Sequence, residues 1–419
     1  EDARAHLLRM ADGDARRALT ALEAAAGTSS HIDLPTLEQA VDTAAATAPH
    51  GPALPDLMPA ALQRLLESRL PRVIRREPDQ DDATRWRRWE IGGRTVQIAQ
   101  PVTFTPYASA RPCSARCRFC SETLDDGGPH AAALRPGPQY GAQLRQALAA
   151  LRGLPLSWSL SGLETTDDAG WMLSMLDALQ EHARQSPVQG SVLYTNGAGL
   201  ATPQGAGLIA RLRAFDLGWV ELSRHHHEAG ANQAIMRFRS GQTVATQIGI
   251  DATLTQLVPQ LPVKLVCIVQ QGGIDGVPAL KAYLRWARQH GVKAVILREF
   301  SQLGPQYRNN VTARYIGGAR IDVAALLAAC LAGAEWSAEA QLAHATSGYY
   351  FWNVVLNWRG MQLTFEASDY VRMHARHASG RIYKLVFHAN GRLCGGWNPE
   401  QHVLLETTGA APMRSRGWL

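Results

Sequence analysis

Six short runs rich in β-branched and apolar residues recur along the middle of the chain, at Thr95–Tyr107, Leu156–Leu160, Ser191–Tyr194, Trp219–Leu222, Val263–Val269 and Ala294–Leu297. Between most of them lie stretches with helical periodicity, Tyr140–Leu151, Trp171–Ala183, Gln204–Phe215 and Val277–His290. That alternation leaves few solutions. Strands joined through helices lie parallel in one sheet, and the crossovers are right-handed. The pattern therefore predicts an α/β fold, a six-stranded parallel sheet spanning residues 86–316. In sheets wound this way, functional groups gather on loops at the carboxyl ends of the strands.

The loop after the first run carries the sharpest chemical signal. It reads Arg111-Pro112-Cys113-Ser114-Ala115-Arg116-Cys117-Arg118-Phe119-Cys120, a CxxxCxxC triplet in a chain with only six cysteines. Soft thiolates select zinc or an iron–sulfur cluster. A structural zinc site is normally closed by four ligands, usually in two spaced pairs, and the chain has no second CxxC. Three thiolates on a cluster leave one iron open to a cosubstrate. The zinc alternative uses the same cysteines with His225 or His226 as the fourth ligand.

With the aromatic Phe119 just before its last cysteine, the triplet resembles the loop of the radical S-adenosylmethionine (SAM) enzymes. The resemblance implies a partial (βα)6 barrel and a [4Fe-4S] cluster on Cys113, Cys117 and Cys120, with SAM on the open iron and Phe119 among the residues that contact it. It further implies a flavodoxin- or ferredoxin-type electron donor and a small-molecule or peptide substrate that loses a hydrogen atom. Ser161-Gly162-Leu163-Glu164 is similar to the family's GGE motif, Leu163 standing where the second glycine would be, and this carries Glu164 to the SAM amino group. Asn196, in Tyr194-Thr195-Asn196-Gly197, faces the ribose or the substrate, or is a turn asparagine. Ser223 and Arg224 correspond to the position that serves the SAM ribose and carboxylate. His225 is a candidate for substrate contact or proton transfer, because three consecutive histidines point in different directions and do not chelate together. The segment Val269–Gly276 loosely resembles the adenine-contacting segment, and Arg298, Glu299 and Ser301 follow the sixth run.

The flanks read differently. Residues 1–45 are alanine- and leucine-rich and helical; Asp12-Gly13-Asp14-Ala15-Arg16-Arg17 resembles the lid of AAA+ ATPases of the replication-associated recombination type. No GxxxxGK[ST] loop accompanies it, so a replication- or RNA-associated adaptor is an alternative reading rather than an ATPase. Residues 46–85 form a linker and helical lead-in. Residues 317–419 predict a helix and then a small C-terminal β-rich domain, a lid over the barrel mouth, with Asn390-Gly391 as a hairpin turn. Within it Cys394 is a candidate hydrogen donor or substrate contact, weighed against a buried thiol in a hairpin core.

Composition excludes some classes. No run approaches the ~20 apolar residues that cross a bilayer. The scattered Cys267, Cys330 and Cys394 argue against a disulfide scaffold and for a reducing cytoplasm. The net charge is +6, yet the densest basic stretch, Arg64 to Arg94, is laced with acids, so nucleic acid is not expected as a partner. A chain that begins at Glu1 rather than Met reads as a fragment.

Overall fold

The structure is a computed structural model that describes residues 57–69, 86–107 and 109–409. The segment likened to an AAA+ lid lies outside those residues, as does most of the lead-in. Helix α1 (Ala60–Arg69) is followed by β1 (Trp86–Ile91), β2 (Arg94–Tyr107), α2 (Tyr140–Ala150), β3 (Leu156–Leu160), α3 (Ala169–Ala183), β4 (Val188–Thr195), α4 (Gly205–Ala214) and β5 (Trp219–Ser223). Then come α5 (Ala229–Met236), α6 (Gln247–Leu257), β6 (Val263–Ile268), α7 (Val277–Gln289), β7 (Ala294–Arg298), α8 (Val311–Ala319), α9 (Val323–Ala332) and α10 (Ala334–Glu339). The C-terminal part contributes β8 (Gln341–Ser347), β9 (Phe351–Trp358), β10 (Met361–Ser368), α11 (Tyr370–His377), β11 (Ile382–His388), β12 (Arg392–Cys394) and β13 (Val403–Glu406).

The six runs read from the sequence are β2 to β7, side by side and parallel, as the alternation requires. Helix starts follow their caps. Asp168 accepts from the Trp171 N–H at the head of α3, and Asp322 accepts from Ala324 and Ala325 at the head of α9.

The C-terminal strands do not form a layer of their own. The sheet order is β13-β12-β11-β2-β3-β4-β5-β6-β7-β10-β9-β8, with β1 hanging on β2. β10 pairs parallel with β7 and β11 pairs parallel with β2, so the block expected as a separate β-rich domain extends both edges of the central sheet. An open parallel sheet has two unpaired edges, and an extended chain returning through α11 satisfies both.

Along these strands one face is apolar, and the other carries the polar side chains among a few aliphatic ones such as Val266 and Ile296. Phe104 meets Trp158 edge-on, and Phe387 packs on Tyr140 of α2, which marks the helix-covered side. Leu193, Leu222, Leu265, Leu297 and Leu363 are buried in the same core, which α1 joins through Leu62 and Leu66, with Met58 just before it. The alternate positions, Ser157, Ser159, Tyr194, Glu221, Lys264, Arg298 and Glu366, face the other way. The sheet is curled around them. Arg298 on β7 donates from Nε to Glu366 on β10 at 2.6 Å, and its guanidinium is 4.0 Å from Glu221 on β5. Across the open seam between the sheet's two halves, Tyr349 before β9 stacks on Tyr383 of β11 with ring centroids 4.4 Å apart. The polar strand residues thus line the inside of the curled sheet, its chamber. Among the described residues, no helix is long and apolar enough to cross a membrane.

Candidate active site at the cysteine loop

The cysteine loop leaves the carboxyl end of β2, and backbone hydrogen bonds fix its course. Arg116 N–H donates to the Met236 and Arg237 carbonyls, and Arg118 N–H to that of Ile235, at the end of α5. Ala115 bridges Phe238, and Arg239 gives its backbone N–H to Ser114 O and its Nε to Cys113 O, both at 2.8 Å. From the other side, Asp167 after β3 accepts the Ser114 N–H at 2.7 Å. The loop is therefore clamped between two strand-end segments rather than left hanging.

Cys113, Cys117 and Cys120 are all part-buried and unbonded to one another. Burial pushes the Cys113 thiol up to about 12, with Glu164 adding to it, and Cys120 up to about 11, with Glu122 adding to it. Burial, then Cys120 and Cys113, raises Cys117 as well. Three crowded thiols beside carboxylates resist ionising by themselves; a cationic centre is what stabilises them as thiolates. Donors already face one sulfur. Ala115 N–H lies 3.4 Å and Asn196 Nδ2 3.7 Å from Cys113 Sγ, the kind of outer contact that tunes a bound cluster. The donor set fits a cluster. Among the described residues no three His, Cys, Asp or Glu side chains converge as a single-ion site.

Glu164 sits behind the loop as a hub. Its Oε1 accepts from Thr195 Oγ1 at 2.7 Å and from Thr166 Oγ1 at 2.6 Å, and its Oε2 accepts the Asn196 N–H at 2.6 Å. Burial first, then Asp167, pushes its carboxyl up to about 7. Leu163, where the resemblance wanted glycine, takes positive φ, +51°, as a glycine there would. Asn196 hydrogen-bonds through Nδ2 to Ser114 Oγ at 2.9 Å, so it holds the cysteine loop and caps its own turn through Ala198 N–H. Phe119 packs edge-on to His225, ring centroids 4.9 Å apart, and against Phe300 at 5.5 Å.

The other candidates divide. Ser223 is half-exposed at the end of β5 on the chamber side. Arg224 is turned toward the helices. Its guanidinium lies 5.7 Å over the Trp286 ring of α7 and donates to the Val244 and His227 carbonyls. His225 is buried, and its Nδ1 accepts the Ile268 N–H at 3.0 Å, which places the ring proton on Nε2. Burial, with Arg224 and Arg298 nearby, lowers it to about 3, so the imidazole is neutral. His226 and His227 stack on one another. Cys394 is fully buried in the ladder opposite Val386, its thiol pushed up to about 12 by burial. Glu299 caps α9 through the Val323 N–H and pairs with Arg320, away from the mouth.

Sequence alone does not single out Asp167 or Lys384. Asp167 follows the recognised Glu164 by three residues; its role depends on a loop 53 positions away, for which no local signal exists.

No family model matches the chain, and no curated protein matches it. Among solved structures, His6-tagged anSMEcpe with bound AdoMet is similar at a TM-score of 0.35 with 11% identity, covering 47% of this chain and 50% of that one. SuiB of Streptococcus suis bound to S-adenosylmethionine gives 0.32 with 13% identity, over 64% and 45%. The Escherichia coli coproporphyrinogen III oxidase HemN, described as a radical SAM enzyme, gives 0.35 with 9% identity, over 61% and 66%. The chain thus spans about half the length of the first two structures.

Proposed function

We propose that this chain is a radical SAM enzyme with a [4Fe-4S] cluster on Cys113, Cys117 and Cys120. The observation that carries the reading is the clamped CxxxCxxC loop at the carboxyl end of β2, opening beside a polar chamber. When bound, the cluster and SAM supply one-electron cleavage of the sulfonium and a 5′-deoxyadenosyl radical that takes a hydrogen atom from an unactivated carbon.

The chain's own residues have distinct tasks in this reading. Asp167, Asn196 and Arg239 fix the loop, so the three sulfurs keep their places. Glu164 offers carboxylate charge to the SAM ammonium, and the positive partner would offset the burial that raises it. Ser223 serves the ribose from the chamber side. Arg224, expected at the SAM carboxylate, instead positions α7 against the β5 end. His225 presents a neutral Nε2–H donor behind Phe119. The curled sheet keeps solvent from a reactive intermediate.

A small-molecule or peptide substrate occupies the chamber in this proposal. Arg111, Arg116, Arg118, Arg237 and Arg239 are exposed around the cysteine loop, which supports an acidic one-electron donor of the flavodoxin or ferredoxin type. The test is anaerobic reconstitution with iron and sulfide, followed by addition of SAM and a strong reductant. Iron near four per chain and formation of 5′-deoxyadenosine are the expected results. A zinc-loaded, colourless protein that leaves SAM intact would overturn the proposal.

A further inference from the structure

The strand residues that line the chamber carry more positive than negative charge, and the surplus sits at one place. Arg298 is held by Glu366 and lies near Glu221; burial opposes its charge, but those two carboxylates outweigh it and raise its pKa. Lys264 stands over the Trp219 ring at 4.1 Å, within the field of the same two acids. Lys384 has no such partner. It lies on β11, three residues before the outward-facing Phe387 and therefore on the opposite, chamber face. It is 7% exposed, and among the described residues its ammonium makes no hydrogen bond or ion pair. Its nearest recorded company is aromatic: the Trp397 ring at 4.1 Å and the Tyr350 ring at 5.9 Å.

A buried ammonium without a counter-ion is unfavourable unless something supplies the charge. Here the wall strands provide Lys264, Arg298 and Lys384 against Glu221 and Glu366, one cation in excess. Tyr350 lies between the two groups, within the fields of both Glu366 and Arg298 on one side and close to Lys384 on the other. Trp397 is partly exposed and also meets Tyr107 edge-on at 5.8 Å, so it stands at the rim between the chamber and the end of β2 from which the cysteine loop departs. Beyond β12, Trp397 is thus the residue that meets Lys384.

We infer that Lys384 is the anchor for a carboxylate on the substrate, held between the Trp397 and Tyr350 rings at the β11 wall. This deepens the reading of the chamber as the substrate site and rests on it. A single ammonium flanked by flat rings suits a planar monoanion. A phosphate dianion is ordinarily met by several donors or by arginine forks, which this wall lacks among the described residues.

The experiment uses the full chain and three probes at matched ionic strength: sodium benzoate, inorganic phosphate and sodium chloride. Thermal midpoints are read for the wild type, Lys384→Met and Lys384→Arg. Benzoate is expected to raise the wild-type midpoint in a saturable way, with phosphate and chloride giving no more than a salt effect. Lys384→Arg should keep the shift, with affinity changed by no more than about tenfold, and Lys384→Met should lose it. Equal stabilisation of Lys384→Met, phosphate matching benzoate in the wild type, or no carboxylate effect at all would each overturn the anchor. Lys384→Arg keeps the test informative if Lys384→Met does not fold. Iron content and SAM cleavage are recorded on the same samples. Loss of the carboxylate effect with both intact removes only the anchor, whereas their absence in the wild type sinks the enzyme reading itself.

Discussion

Glu164 accepts the backbone N–H of Asn196 at 2.6 Å, and Asn196 passes the connection on through its side chain to Ser114, next to the first motif cysteine. Two strand ends, β3 and β4, are thereby joined to the cysteine loop through one buried carboxylate. Removing Asn196 should therefore affect the loop before it affects the sheet. Asn196→Ala keeps the backbone bond to Glu164 and is expected to keep the fold, with a loss of roughly 1–3 kcal/mol from the Ser114 hydroxyl and the Ala198 N–H that lose their side-chain partner. After reconstitution its cluster should show a shifted reduction potential, because the Nδ2 donor facing Cys113 Sγ is gone. An unchanged potential would mean that Asn196 is only a turn residue.

The cysteines separate into two groups. Alanine at Cys113, Cys117 or Cys120 should abolish SAM cleavage and reduce iron. Alanine at Cys267, Cys330 or Cys394 should leave the iron in place, since all three are fully buried away from the loop. Iron near four per chain in any motif variant would refute the ligand assignment.

The resemblance assigns both Glu164 and Arg224 to the methionine end of SAM, and their geometry parts them. Glu164→Gln should weaken SAM binding by about ten- to a hundredfold, the effect of losing one charge-assisted contact. Arg224→Ala should leave SAM affinity unchanged and lower the melting temperature instead, because the guanidinium packs on Trp286 and bonds two carbonyls. Isothermal titration with SAM on both variants decides the matter. A hundredfold loss in Arg224→Ala would restore the earlier role.

What was legible in the sequence was local. β3 was bounded at Leu156–Leu160 because alternation and flanking turn residues lie within five positions. Cysteine spacing gave the loop for the same reason. What was not legible depends on distance along the chain. β11 pairs with β2 through Lys384↔Thr103 and Val386↔Thr105, and nothing near Ile382–His388 signals which strand it will join. Read locally, Ile-Tyr-Lys-Leu-Val-Phe is an apolar hairpin arm, and its lysine passes for a solvated edge charge. Placed between the central sheet and β12, the same lysine becomes a buried group on a chamber wall. Arg224 shows the same dependence on distance: a basic residue at a strand end is usually turned to the mouth, but this guanidinium lies over the indole of Trp286 on α7.

The ion array in the chamber predicts an asymmetric response to mutation. Arg298→Met leaves Glu366 and Glu221 buried without their cation, at a cost of about 3–5 kcal/mol. Glu366→Gln keeps a hydrogen-bond acceptor for Arg298 and leaves Glu221 as counter-charge, so its cost should be smaller. Urea unfolding of both variants measures the difference, and equal losses would argue that Arg298 contributes by packing alone.

Lys384 makes a prediction about pH whose sign is opposite to that of a salt-bridged lysine. Burial lowers its pKa from the ordinary lysine value of 10.5 to about 7. Between those values the unfolded chain holds a proton on this residue that the folded chain does not hold. Stability therefore rises with pH across that window, provided no anion is bound, by 1.36 kcal/mol at most for each unit. Below about pH 7 both states are protonated, and the full penalty of the buried charge is present. Other buried groups titrate too, so the quantity to measure is the wild type minus Lys384→Met difference in unfolding free energy between pH 6 and pH 10. That difference should move in favour of the wild type as pH rises, by an amount on the order of a few kcal/mol. Saturating benzoate should flatten it, because a bound carboxylate holds the ammonium charged in the folded state. A difference independent of pH would mean that Lys384 stays ionised and solvated, and that the chamber wall needs no anion.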